Sequence, residues 1–437
     1  MQIAKKLPHY SPIGDTMSRT KLFKISILLM VFVLCFALVA CDQDPPDGGG
    51  DDIPTTKKVA GDALVDKTNP LVKWEGRHEF VTYKNYPMVM AYNTATGFTV
   101  DFYGTELKAT FFHQNSENTG GNIYYQVAVD DEVLPTTNKE RVVCLPNDKM
   151  MVTVTLVKDL PQGKHKLTCL KTSEPADALT GIVDISTDGG IYKRDLEADN
   201  KNLKFMFVCA SGGSGYGSLV CVPQDTIKRS TANSSSLHSF NYLTARQFGA
   251  DVQYVAQAGW GVHFPTNKSI WQAFDHVGIL GYSPTSGYKN SVQGAKTTGK
   301  WDHSQWVPDV IIFNIGGNDT PQSNFKEADY KKSVVEMVTR LHELYPNAKM
   351  LWTHTDSKAG KLALQALTSA GIIAQGYIKS AVIPQVADDG TYGASDHHSF
   401  KSHITASDAL VKYLETYGFA PIRPNVVFDD YKHFITM

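Results

Sequence analysis

The hydrophobic pattern changes its period near residue 200, and this change constrains the fold of the 437-residue chain more than any other feature. Between about residues 72 and 194, short segments alternate apolar and polar residues, as in Gly97–Phe102 and Met151–Leu156. Turn-forming clusters such as Pro161-Gln162-Gly163 separate them. A period of two residues is typical of strands with one buried face. We therefore expect a β-sandwich over residues 69–197.

The second half of the chain alternates predicted strands with predicted helices. Apolar runs predict strands at 203–208, 252–255, 310–315, 349–352 and 378–383. Apolar residues at helical spacing predict helices at 237–248, 330–344, 361–370 and 404–417. Such alternation indicates a parallel sheet covered on both faces. We expect a three-layer α/β domain over residues 198–422, followed by a tail over 423–437, with the ligand at the carboxyl ends of the strands.

An unbroken apolar run, Ile27–Ala40, follows three basic residues near the start of the chain. Fourteen residues are too few for a transmembrane helix, which needs about 20, but they are typical of a secretory signal. The exit of the run, Leu38-Val39-Ala40-Cys41, resembles the lipobox of bacterial lipoproteins. This resemblance implies a signal peptide over residues 1–40 and a lipid-modified Cys41, which would anchor the protein to a membrane of the bacterial cell envelope on its extracytoplasmic side. An ordinary signal peptide cut nearby is the alternative.

Residues 41–68 are rich in Asp, Pro, Gly and Lys and have almost nothing apolar to bury, so we expect a flexible tether. The formal net charge is −2, and it becomes −6 once residues 1–40, with five basic residues and one acidic residue, are removed. This balance argues against a nucleic-acid partner, which usually selects a basic excess. Six cysteines are too few for a disulfide scaffold.

Three loops follow predicted strands or precede the last helix, and each contains residues suited to acyl transfer. The first, Cys209-Ala210-Ser211-Gly212-Gly213, offers a serine that can act as a nucleophile and whose own amide can bind an oxyanion. A Gly- and Ser-rich βα turn without chemistry is the alternative. The phosphate-binding pattern GxxxxGK[ST] is absent, and the glycines do not fit the dinucleotide pattern GxGxxG.

The second loop is Gly316-Gly317-Asn318-Asp319, in which the Asn318 amide can donate to an oxyanion. A simple turn is the alternative, because Gly, Asn and Asp all favour turns. The third loop is Ser395-Asp396-His397-His398, in which a histidine beside a carboxylate can serve as a general base. No HExxH, CxxC or acidic cluster accompanies the histidines, so a metal site is not expected.

The order Ser, Asn, Asp/His resembles the SGNH (GDSL-type) hydrolase superfamily. Three further blocks resemble carbohydrate esterase family 2: Ala258-Gly259-Trp260-Gly261, Trp301–Asp309 and Tyr242–Arg246. The resemblance covers about residues 70–420. It implies a jelly-roll-like β-sandwich followed by an SGNH hydrolase domain with a parallel sheet, and it implies no cofactor and no metal ion.

The same resemblance implies the roles of individual residues. Ser211 would be the nucleophile, His398 the base and Asp396 its orienting partner. The Ser211 amide, Gly259 and Asn318 would form the oxyanion hole. The enzyme would remove acetyl or other O-acyl groups from polysaccharides through an acyl-enzyme. Four aromatic residues are candidates for stacking on a sugar, with core packing as the alternative for each: Tyr216, Trp260, Trp301 and Trp306.

Two positions depart from the family pattern. The usual Gly-Asp-Ser becomes Cys209-Ala210-Ser211, which removes the aspartate that braces the loop, and Ser399 stands where proline is usual after the histidine. A carbohydrate-binding protein with a degenerate esterase site is therefore one alternative. An esterase acting on envelope glycan or lipid is another. We expect a monomer that binds a polysaccharide or an acetylated sugar.

Overall fold

The computed structural model describes residues 55–424, except Lys84, 116–120, Thr137, Asn147, Ala176, 264–268 and 279–298. The described residues all belong to one compact unit, Pro54–Met437. The predicted signal peptide and Cys41 lie outside the described residues. Within the described ranges, no helix is both long enough and apolar enough to cross a bilayer.

The first part of the unit is an antiparallel sheet of eleven strands. Strand β11 is the longest, and it pairs with β6 over residues 178–187 and with β5 at residues 190–191. Because β11 pairs with both β6 and β5, the strands form one continuous hydrogen-bonded sheet, which curls around a common apolar core. The strands are β1 Thr56–Ala60, β2 Lys73–Glu75, β3 Glu79–Tyr83, β4 Tyr86–Met90, β5 Gly97–Gly104, β6 Leu107–Asn115, β7 Ile123–Val129, β8 Val142–Leu145, β9 Met151–Val157, β10 Gly163–Lys171 and β11 Ala178–Ile191.

The alternation of residues along these strands explains why one face of the sheet is buried. Phe98, Val100 and Phe102 of β5 all point into the core and are fully buried, as expected for every second residue of a strand. The predicted β-structure of this region is therefore confirmed, and its strands are joined in one antiparallel sheet. The jelly-roll connectivity that the family resemblance implies stays a prediction.

The prediction of a tether over residues 41–68 is wrong from residue 56 onward. Strand β1 pairs with β11, and its Val59 is fully buried. Helix α1 follows at Asp62–Val65 and buries Leu64. The sequence hides this strand because Val59 is its one large apolar side chain, and Lys57 and Lys58 precede it. The strand is stabilised by hydrogen bonds to β11, which lies far along the chain, and a local sequence pattern does not predict such long-range pairing.

The second part is built on a parallel sheet of five strands, in the spatial order β13, β12, β14, β15, β16. This confirms the predicted parallel sheet, and the strand positions agree within a few residues. The strands are β12 Lys204–Cys209, β13 Asp251–Ala256, β14 Val310–Asn314, β15 Lys349–His354 and β16 Ile378–Val382. The helices are α2 Leu196–Asp199, α3 Phe240–Gln247, α4 Ile270–Ala273, α5 Glu327–Leu344, α6 Lys358–Ser369 and α7 Phe400–Glu415.

Each face of the parallel sheet has its own apolar core. Met206 and Val208 of β12 join the core that includes the buried faces of α5 and α6. Phe205 and Phe207 join the opposite core, to which α3 and α7 contribute. Helices on both faces leave the carboxyl ends of the strands open, so the loops that follow the strands are free to form a site.

Candidate active site

Ser211 lies in the loop directly after β12, at the carboxyl end of the sheet. The Ala210 amide donates to the carbonyl of Asn314, at the end of β14, at 3.0 Å. The Asn241 side-chain amide donates to the carbonyl of Gly213 at 3.0 Å. These bonds tie the serine loop to the neighbouring strand and to α3, and Ser211 itself stays half-buried.

A carboxylate braces the serine loop even though Ala210 replaces the usual aspartate. The Ser214 hydroxyl donates to the Glu174 carboxylate and lies 3.2 Å from the carbonyl of Ser211. Glu174 is buried in the segment between β10 and β11, so the antiparallel part of the chain supplies it. Burial raises the pKa of Glu174 to about 7. The departure at Ala210 therefore leaves the loop anchored.

His397, and not the predicted His398, faces the serine. Its Nε2 atom lies 2.9 Å from the Ser211 Oγ atom, and its Nδ1 atom lies 2.8 Å from the carbonyl oxygen of Ser395. Because a carbonyl only accepts, the proton belongs on Nδ1. The lone pair of Nε2 is then directed at the serine hydroxyl, which is the arrangement that a general base requires.

The prediction of His398 as the base is wrong in this geometry. The ring of His398 is buried, with ring centroids 5.5 Å from Phe240 and 5.1 Å from His403. The physical reason is local: His397 has extended backbone angles, φ −84° and ψ −174°. Successive side chains of an extended segment point in opposite directions, so one histidine meets the serine and its neighbour packs inside.

Asp396 does not orient the imidazole directly, contrary to the prediction. Its Oδ1 atom accepts a hydrogen bond from the Asp225 amide at 2.8 Å. Ser395 and Asp396 both have left-handed backbone angles, with φ of 52° and 58°, which is uncommon for residues other than glycine. The carboxylate thus pins a strained turn, and the turn presents the Ser395 carbonyl to His397.

Asn318 lines the same cavity as Ser211 and His397, which has a volume of about 250 Å³. Its amide nitrogen donates to the carbonyl of Trp260 at 2.9 Å. A side-chain amide has two N–H groups, so this bond fixes the group while leaving one N–H for a ligand. Gly259 is exposed, with a left-handed φ of 78°, and is not among the described residues that line the cavity. Its oxyanion role stays a prediction.

The electrostatics of the cavity suit a neutral imidazole and an uncharged ligand. Burial lowers the pKa of His397 below its ordinary value, so the unprotonated base is favoured. The hydrogen bond from the Asp225 amide lowers the pKa of Asp396. Asp396 is the one carboxylate in the lining, and the described residues around the cavity include no lysine and no arginine.

The aromatic residues predicted to stack on a sugar divide into two groups. Trp260 and Trp301 are only 3% and 5% exposed, so that prediction is wrong for both, and the alternative of core packing holds. Trp306 is partly buried against the same cores. Tyr216 is half-buried beside the site, and its ring centroid lies 4.5 Å from that of His397.

Comparisons with known proteins bear on this site and fold. No family model matches the chain. A cellulase/esterase, CelE, of Acetivibrio thermocellus is 22% identical over 355 residues, covering 79% of this chain but only 39% of the relative. An acetylxylan esterase / glucomannan deacetylase of Cellvibrio japonicus is 25% identical over 365 residues, covering 79% of this chain and 89% of the relative.

Solved structures share the fold over the same range. An acetyl xylan esterase from the rumen bacterium Butyrivibrio proteoclasticus matches with a TM-score of 0.66 at 17% identity, over 82% of this chain and 99% of that one. A family two carbohydrate esterase from Clostridium thermocellum, in complex with cellohexaose, matches with a TM-score of 0.62 at 20% identity, over 80% and 100%. The predicted resemblance to the SGNH hydrolases and to carbohydrate esterase family 2 is confirmed, and the predicted enzyme class is that of both curated relatives.

Proposed function

We propose that the chain is a serine ester hydrolase that removes O-acyl groups, acetyl above all, from a carbohydrate. The observation that supports this most directly is the 2.9 Å contact between Ser211 Oγ and His397 Nε2, with Nδ1 tied to a carbonyl. A nucleophile, a base and a group that orients the base are the parts that covalent acyl transfer needs. Their place at the carboxyl ends of parallel strands matches the site expected for this fold.

The proposed mechanism runs through an acyl-enzyme. Ser211 Oγ attacks the ester carbonyl while His397 Nε2 takes its proton, and the resulting imidazolium keeps its Nδ1–H bond to the Ser395 carbonyl. The tetrahedral intermediate then collapses, its bond to the sugar oxygen breaks, and His397 gives the proton to that oxygen, so that the sugar leaves as an alcohol and the acyl group stays on Ser211. A water molecule, activated by the same histidine, hydrolyses the acyl-enzyme and releases the acid.

The tetrahedral oxyanion would be held by the free N–H of Asn318 and by the Ser211 amide, with Gly259 as the third donor that the family resemblance implies. Asn318 is fixed in advance by its bond to Trp260. Donors that are already oriented stabilise a developing charge without further reorganisation.

The substrate class follows from the cavity and the relatives together. The described lining has no lysine and no arginine to pair with a uronate or a phosphate, which favours a neutral sugar ester. The name of the Cellvibrio japonicus relative points to acetylated xylan and glucomannan as the substrates to try first. Rates on these polymers and on acetylated envelope glycan would separate the proposed substrate from the alternative.

The proposal is tested with purified protein lacking residues 1–40. We expect release of 4-nitrophenol from its acetate ester and of acetate from acetylated xylan, and loss of both in Ser211→Ala. Ser333→Ala is the matched control, because Ser333 Oγ also lies 2.8 Å from a histidine nitrogen, His263 Nδ1, but on helix α5. Activity that survives in Ser211→Ala would refute the assignment of the nucleophile.

We further propose that Cys41 carries a lipid and holds the enzyme, as a monomer, on the extracytoplasmic side of the bacterial envelope. The basic residues, the apolar run and the Leu38-Val39-Ala40-Cys41 exit support this. Incorporation of a labelled fatty acid, lost in Cys41→Ser, is the expected result. Release of unlabelled wild-type protein into the medium would favour the ordinary signal peptide instead.

A further inference from the structure

The ring of Tyr216 contacts both the proposed catalytic base and a cation. Its centroid lies 4.5 Å from the imidazole centroid of His397, at an interplanar angle of 40°. The guanidinium carbon of Arg229 lies 4.8 Å from the same Tyr216 centroid. Such a distance is within the range of a cation–π contact.

Arg229 is in turn held by a carboxylate from the antiparallel part of the chain. Its Nη1 and Nη2 atoms donate to the two oxygens of Asp177 at 2.5 and 2.6 Å, and its Nε atom donates to Ser234 Oγ at 3.0 Å. The Asp177 side chain is fully buried and that of Arg229 is 9% exposed. A bidentate pair of this kind fixes the guanidinium plane as well as its position.

Arg229 also contacts the turn that orients the base. Its backbone amide donates to Ser395 Oγ at 3.0 Å, and the carbonyl of that same Ser395 accepts from His397. Ser395 has a left-handed φ of 52° and therefore needs support from its surroundings. Arg229 thus contacts both the Tyr216 ring, which lies against His397, and the turn whose Ser395 carbonyl accepts the hydrogen bond from His397 Nδ1.

We propose that Asp177 and Arg229 are positioning residues that act through Tyr216 to fix the plane of the His397 imidazole. The proposal rests on the proposed function of the Ser211–His397 pair. The hydrogen bond from Nδ1 to one carbonyl sets the tautomer but does not by itself prevent the imidazole from tilting. The contact with the Tyr216 ring restricts that tilt. Through Asp177, the antiparallel part of the chain then contributes to the chemistry without contacting the substrate.

The arrangement has an electrostatic signature. The charged and titratable groups that interact with His397 are Asp396, Arg229, His398 and His403. The positive charge of Arg229 works against protonation of His397, and Asp177 partly neutralises that charge. Asp177→Asn should therefore move the acid limb of kcat/KM to lower pH, whereas Arg229→Gln should move it to higher pH.

The test uses these two variants together with Tyr216→Leu and Tyr216→Phe in the full chain. Because a misplacement of about 1 Å in a catalytic group typically costs about 100-fold in rate, we expect Tyr216→Leu to lower kcat about 10- to 100-fold with little change in KM. Tyr216→Phe keeps the ring and should keep most of kcat. Circular dichroism and thermal unfolding show whether each variant is folded.

Asp199→Asn is the matched control, because Asp199, whose side chain is 16% exposed, forms a bidentate pair with Nε and Nη2 of Arg194 away from the site. We expect it to lower the unfolding temperature without changing kcat or the pH profile. Equal kcat losses in Asp177→Asn and Asp199→Asn, or acid limbs that move in the same direction in Asp177→Asn and Arg229→Gln, would overturn the proposal. Failure of the proposed function looks different, since wild-type protein would then hydrolyse no ester.

Discussion

Substituting the two adjacent histidines one at a time separates catalysis from packing. His397→Ala removes the base that lies 2.9 Å from Ser211 Oγ. General-base catalysis is typically worth about 10²–10⁴ in rate, so we expect kcat/KM to fall by that factor while the protein stays folded.

His398→Ala has the opposite profile. The His398 ring is only 4% exposed and packs against Phe240 and His403. Truncating a fully buried aromatic ring to alanine typically costs about 3–5 kcal/mol, a large fraction of the 5–15 kcal/mol that stabilises most proteins. We expect a markedly lower unfolding temperature, and at a temperature where the variant is folded, kcat within about threefold of wild type.

The assay is hydrolysis of 4-nitrophenyl acetate, with urea unfolding measured on the same preparations. His398→Phe provides a second variant that preserves ring volume and packing, in case His398→Ala does not fold. If folded His398→Phe lost 100-fold or more while His397→Ala stayed active, the sequence-based choice of His398 would be right and the geometry described above would be wrong.

Three further predictions concern residues around the dyad. Asn318→Ala should lower kcat about 10²–10³-fold, the usual loss for one oxyanion donor; a loss below fivefold would remove Asn318 from the oxyanion hole. Asp396→Ala should cost less than about tenfold in kcat, because its carboxylate pins a turn; a loss near 10⁴, as in a full triad, would restore it as the orienting carboxylate. Burial raises the pKa of Glu174 from 4.5 to about 7, so the folded state holds this proton more tightly than the unfolded state, and stability declines as the pH rises from 4.5 to 7. Glu174→Gln should therefore gain stability relative to wild type between pH 4 and pH 8 in urea unfolding, and an unchanged difference would contradict this.

The sequence predicts the parallel sheet well because its strands are buried on both faces. Continuous apolar runs such as 310–315, followed by helical spacing at 330–344, leave few alternatives. Ser211 and Asn318 could be placed because each directly follows such a strand, and the carboxyl ends of parallel strands meet at one edge. The structure brings both residues to one cavity.

The choice between two neighbouring histidines depends on backbone angles that the sequence does not reveal. His397 faces Ser211 because the left-handed turn at Ser395 and Asp396 directs the chain that way. That turn is stabilised by hydrogen bonds to Asp225 and Ile227, about 170 residues earlier. The family resemblance implied His398 as the base, and no local pattern distinguishes the two histidines.

The contribution of the antiparallel part was also beyond the sequence pattern. Glu174 and Asp177 lie in the segment between β10 and β11, which reads as an ordinary polar turn. What marks both acids as functional candidates is that they are almost wholly buried, and only the tertiary structure shows this burial. Trp260 and Trp301 illustrate the converse, because aromatic residues near active-site loops look like sugar-binding groups until their burial is known.

Labelling with a fluorophosphonate probe tests the central claim most directly, because it requires an activated serine and no particular sugar. We expect one phosphonyl group per chain in the intact mass, located on Ser211 by peptide mapping, and labelling at least about 100-fold slower in His397→Ala. Absence of labelling in folded wild-type protein, or labelling of Ser211 at the same rate in His397→Ala, would contradict a working Ser211–His397 pair.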